Sequence, residues 1–104
     1  MNVPDYVASA LARDEPLYYF RWNARGEPVV NKITSIAYIS HTPYITYLKW
    51  KDDRGMDVMI DIAEVYASPA AAVGGEITRM LELIVALKDE LHKLYKLKKG
   101  FANK

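Results

Sequence analysis

The chain reads as a single α+β domain over 1–104: a short N-terminal helix, a four-strand antiparallel meander and one long amphipathic C-terminal helix. Three observations predict it. Alternating apolar and polar residues, rich in β-branched and aromatic types, run through 17–62. Glycine-bearing polar turns punctuate that stretch at Asn23-Ala24-Arg25-Gly26 and Asp52-Asp53-Arg54-Gly55. A helical apolar period then starts at Ile77, with lysines towards its end and Gly100 as its stop.

Each element has a local reason. Residues 3–13 form a helix that Asn2 can cap, with Pro4 in the first turn and Asp5 facing the positive helix end. Val3, Val7, Ala10 and Leu11 share its apolar face, and Asp14-Glu15-Pro16 ends it. The first strand, 17–23, puts Tyr18, Phe20 and Trp22 on one face and Tyr19 and Arg21 on the other. The second, 29–40, loses its alternation around Lys32 to Ile36, which predicts a bulge or a register shift there. The third is 44–51. The fourth, 56–62, points Met56, Val58, Ile60 and Ile62 inward and Asp57 and Asp61 outward. Short loops make consecutive strands antiparallel neighbours, in the order 1-2-3-4. Residues 63–75 are a connector. Ser68-Pro69 can start one helical turn there, and Gly74-Gly75 argues against a continuous helix. The long helix covers 76–99, and 100–104 is a basic tail.

Bulk composition narrows the function. Hydrophobic residues make up 51% and charged residues 26%, an ordinary globular balance. The net charge of +1 argues against a surface built wholly for nucleic acid. No cysteine is present, which removes disulfides, cysteine zinc sites and thiol nucleophiles together. No secretory leader is visible, and the apolar stretch 77–87 is interrupted by Arg79 and Glu82. The expectation is a cytoplasmic protein without a membrane association.

The long helix carries the clearest message. With Ile77 at heptad position a, Ile84 and Leu91 follow at a, and Met80, Leu87 and Leu94 fall at d. Leu81, Leu83 and Val85 widen the apolar girth of the first half, whereas the second half narrows among Asp89, Glu90, His92, Lys93 and Lys96. A girth that wide calls for two partners, the sheet and a second surface. Self-association, with a twofold dimer as the simplest form, is therefore expected through Ile77, Met80, Leu83, Ile84, Leu87, Leu91 and Leu94.

Other residues offer less chemistry. Asp52, Asp53, Asp57, Asp61 and Glu64 cluster about the last hairpin, but their spacing matches no calcium loop. His41 and His92 have no partner at metal-ligand spacing, and Ser9, Ser35, Ser40 and Ser68 lack a nucleophile context. No cofactor, metal or catalytic set is expected. Tyr19, Tyr44 and Tyr47 lie in sequence near Arg21, Lys49 and Lys51, and Lys93, Lys96 and Lys99 follow on the helix. Aromatics among cations suit either a protein partner or the bases and phosphates of a single strand.

A meander followed by a long helix resembles, in the order of its elements, a family of small single-strand-binding dimers. The likeness is one of topology and carries over no residue. The residues themselves point first to a small non-enzymatic interaction protein. It would self-associate and bind another protein as an inhibitor or adaptor, of the kind phage and mobile-element genomes direct against host machinery. A single-stranded nucleic-acid binder is the alternative, and an enzyme or metal binder at the acidic hairpin comes last.

Overall fold

A computed structural model describes residues 3–34 and 36–102 of the chain. Asn2, Ser35 and Lys104 lie outside the described residues. The order of elements is α1 (Asp5–Arg13), β1 (Leu17–Trp22), β2 (Pro28–Ile33), β3 (Tyr38–His41), β4 (Thr46–Lys51), β5 (Asp57–Asp61), a 3-10 turn at Ile62–Glu64, β6 (Val65–Tyr66) and α2 (Pro69–Ala102).

The helix–sheet–helix class is as expected, but the single meander is not. Six strands form two antiparallel three-stranded sheets, ordered β2-β1-β6 and β3-β4-β5. The expected second strand is two. Among the described residues β2 pairs with β1 and β3 with β4, and the change of sheet falls between Ile33 and Tyr38, where alternation fails. The last strand lies in the expected connector: Val65 and Tyr66 return to pair with Tyr19 and Tyr18. Met56 lies outside β5 and is exposed, because it belongs to the hairpin turn whose geometry Asp52 fixes.

Both hairpin turns are built alike. Asn23 Oδ1 accepts from the amides of Arg25 and Glu27 at 2.9 Å, and Asp52 Oδ1 accepts from those of Arg54 and Met56 at the same distance. Gly26 and Gly55 then take φ of 75° and 76°, a region that disfavours a side chain. α1 starts two residues later than expected, with Pro4 as its N-cap; Pro4 O accepts from Val7 and Ala8.

The inner faces of the two sheets meet in one core. Leu17, Ile33 and Val65 come from one sheet, Leu48, Trp50 and Ile60 from the other, and Val7 and Ala10 of α1 join them. Each fully buried aliphatic side chain there contributes about 1.5–3 kcal/mol. Tyr19 packs against this core, its ring 5.5 Å from that of Trp50. The Tyr6 hydroxyl ties α1 to β6 by donating to the Val65 carbonyl.

α2 covers the opposite face of β2-β1-β6, where alternation puts Phe20. It begins at Pro69, earlier than expected. Ser68 Oγ accepts from Ala71 N at 3.1 Å, proline suits the first helical position and Ala70 to Ala72 follow. The glycines do not interrupt it, because one of them is where the helix meets the sheet. Ala72 is buried, and a Cβ on Gly75 would overlap the Tyr66 hydroxyl and ring. Gly74 has open space around its Cβ position. Gly74→Ala should therefore stabilise the fold by up to about 1 kcal/mol through helix propensity. Gly75→Ala should destabilise it in spite of the same propensity gain, and thermal unfolding of the two variants checks the opposite signs.

Candidate interaction surface

The start of α2 is clamped in place. The Glu76 carboxylate accepts from Arg79 on the next turn, and the nearby Trp22 indole on β1 adds to the stabilisation of its charge. The Arg79 hydrogen bond is the main cause that holds the Glu76 carboxyl below its usual value, against the opposing effect of desolvation. The charges of Arg79 and Arg21 and the Trp22 indole act in the same direction. Arg21 sits 3.4 Å from Glu64 and 5.4 Å over the Tyr19 ring.

Past this clamp the helix leaves the fold. Every residue from 77 to 102 is exposed. α2 has 34 residues, so it is about 51 Å long at 1.5 Å per residue. The molecule measures 66 × 34 × 25 Å with a radius of gyration of 19.3 Å, where a compact chain of this length would have about 13 Å.

The helix also changes the side on which it is apolar. Ala72 and Gly75 face the sheet, and the same line continues at seven-residue spacing through Arg79, Glu82, Ala86 and Lys93, which are small or polar. The apolar line of Ile77, Met80, Ile84, Leu87, Leu91 and Leu94 lies about a third of a turn around the axis. Leu81, Leu83, Val85, Tyr95, Leu97 and Phe101 are distributed around the rest of the helix, and these dozen side chains are each 43 to 62% exposed. The seam is thus directed away from the chain's own sheet. All seven residues expected for self-association lie on this projecting stretch.

The residues expected to form one aromatic and basic face lie in separate places. Tyr19 is half-buried between the sheets, because β1 turns the face it shares with Leu17 into the core. Arg21 stays at the edge of that contact. Tyr44 is 93% exposed in the turn between β3 and β4. Tyr47, Lys49 and Lys51 alternate with the buried Leu48 and Trp50, which places them on the outer face of β3-β4-β5. Cross-strand neighbours missed in the sequence complete this face: Tyr38 and Met59 flank Lys49, whose ammonium lies 5.9 Å over the Tyr38 ring. Lys93, Lys96 and Lys99 are far along α2, more than about 25 Å of helix from Glu76.

The acidic hairpin divides its carboxylates among local tasks. Asp52 fixes the turn, Asp57 lies 3.8 Å from Lys51, and Asp61 Oδ1 accepts from Ala63 N at the 3-10 turn. Among the described residues no three histidine, aspartate or glutamate side chains come together as a metal set. His41 Nδ1 lies 3.1 Å from Thr46 Oγ1, and His92 is exposed on the helix. No helix among the described residues is long and apolar enough to cross a membrane.

The clamp has a pH signature. A carboxyl held low in the folded state contributes stability that is present above its unfolded value and is lost as pH falls through the folded value. The Trp22 indole N–H resonance should therefore shift as pH drops below the usual carboxylate range, and Glu76→Gln should remove that transition. No protein-family model matches the chain, and no curated protein or solved structure is significantly similar to it.

Proposed function

We propose that this protein is a small non-enzymatic interaction module that self-associates through α2 and offers the outer face of β3-β4-β5 to a protein partner, as an inhibitor or adaptor does. One observation carries the reading: a dozen large apolar side chains stand exposed along a helix that has left its own fold, and the seam of Ile77, Met80, Ile84 and Leu87 lies around the axis from the sheet-facing line. Most helices in proteins owe their stability to packing of an apolar face, and monomers rarely expose contiguous apolar patches beyond a few hundred Å². A second copy supplies a surface of the same kind and length.

The head domain supports the second half of the reading. Because α2 covers the other sheet, the outer face of β3-β4-β5 keeps Tyr38, Tyr47, Lys49 and Met59 free of any helix, with Tyr44 at its margin. Tyrosines with methionine and a cation on a rigid sheet make a common kind of protein-binding surface. The alternative, a single-stranded nucleic-acid binder, gains less from the geometry. It needed Tyr19 and Arg21 beside Lys49 and Lys51, and these residues occupy different sheets with Tyr19 in the core contact.

Native mass measurement tests the self-association. At high micromolar concentration the wild type should run as a multiple of the 11.9 kDa chain. Leu83→Glu with Leu87→Glu should give the monomer while the head unfolds at an unchanged temperature. A wild type that stays monomeric contradicts the proposal. For the partner face, Tyr38→Ala with Tyr47→Ala should abolish retention of a host protein in a pull-down without altering the native mass.

A further inference from the structure

We infer that two copies pair antiparallel along α2, with Ile84 of one copy opposite Leu87 of the other. This rests on the self-association reading above and specifies its geometry. The argument starts from charge. Over 76–90 the helix carries Glu76, Glu82, Asp89 and Glu90 against Arg79 and Lys88, a net of −2. Over 91–102 it carries Lys93, Lys96, Lys98 and Lys99 and no acidic residue. A parallel pair would set the lysine ends side by side and put Lys98 against Lys98 in the seam. An antiparallel pair carries the two lysine ends to opposite ends of the seam, each alongside residues 69–80 of the other copy, where Glu76 and Arg79 leave no net charge, and the two helix dipoles oppose.

Girth points the same way. The half at 77–87 is wide and the half at 88–97 narrow, and antiparallel pairing lays 77–83 of one copy against 88–94 of the other, with the wide segments 84–87 meeting at the centre. It also selects a register. With Ile84 opposite Leu87, the flanking layers are Met80 with Leu91 and Ile77 with Leu94, apolar throughout. Beside the seam, Leu81 then meets the aliphatic stem of Lys88, and Leu83 that of Glu90. Sliding one copy by a heptad towards its own N-terminus would put Lys88 beside Lys88 and Glu90 beside Glu90. The seam line is also open back to Val73, which stays exposed because Ala72 and Gly75 are the residues that face the sheet.

The chain has no cysteine, so introduced thiols report the arrangement directly. Met80→Cys and Leu91→Cys chains, made separately, mixed in equal amounts and oxidised, should form the mixed disulfide in large excess over either self-disulfide, because only facing positions meet the distance a disulfide requires. Predominant Met80→Cys self-disulfide overturns the antiparallel arrangement and leaves self-association standing. Monomeric mass with no disulfide overturns both. The unaltered protein gives a second reading that needs no substitution. Antiparallel pairing should change little on raising salt from low to high concentration, because each lysine end lies against a stretch without net charge. Pairing that strengthens with salt, as relief of lysine repulsion would make it, overturns the inference.

Discussion

The docking of the first turns of α2 onto β1 and β6 decides what the rest of the molecule becomes. Ala72 is buried against the sheet side, Gly75 lets the helix backbone come close to Tyr66, and the Glu76 carboxylate on the next turn lies near Trp22. Three turns of contact set the direction of a helix that continues well beyond the sheet edge. Had the large apolar residues continued the Ala72–Gly75 line, the helix would have lain along the head as a second core. Apart from Leu83 they do not: that line becomes Arg79, Glu82, Ala86 and Lys93, and the seam of Ile77, Met80, Ile84 and Leu87 appears around the axis from it. The fold therefore divides into a head that satisfies its own apolar surface and a stalk that cannot.

The head is self-sufficient for a simple reason. The chain passes from one sheet to the other between β2 and β3, so the two small sheets present their inner faces to one core, and α1 joins them. Tyr19 against Trp50 links the sheets by an aromatic contact, and β6 returns the chain to β1 before the stalk begins. A head arranged this way leaves the outer face of β3-β4-β5 without a helix, which is why the tyrosines there matter to a functional reading.

Much of this was legible in the residues. The Asn23 and Asp52 turns announce themselves because a short polar side chain and a glycine three residues on are what their geometry requires. The failed alternation at 32–36 marks where the chain leaves one sheet for the other, although pattern alone could not say that it starts a second sheet. The pairing of Val65 and Tyr66 with β1 was hidden, since two residues are too few to show a period and their partner is more than forty positions away. The two glycines misled most. Read as propensity they stop a helix, but Gly75 is there for the Tyr66 ring, a tertiary need that no local pattern displays. The seam at 77–94 is the most visible feature, whereas Tyr19 and Arg21 lie in a different sheet from Tyr47, Lys49 and Lys51, a division that closeness in sequence does not display.

The measurement that bears most directly on this account is amide hydrogen exchange along the chain as a function of protein concentration. Protection at 77–97 should rise steeply from low to high micromolar concentration while that of β1 to β6 stays constant, because the stalk acquires its partner from solution and the head does not. Protection of the stalk that is already full in the most dilute sample and indifferent to concentration would mean that the helix finds its cover within a single chain, and the account would be wrong.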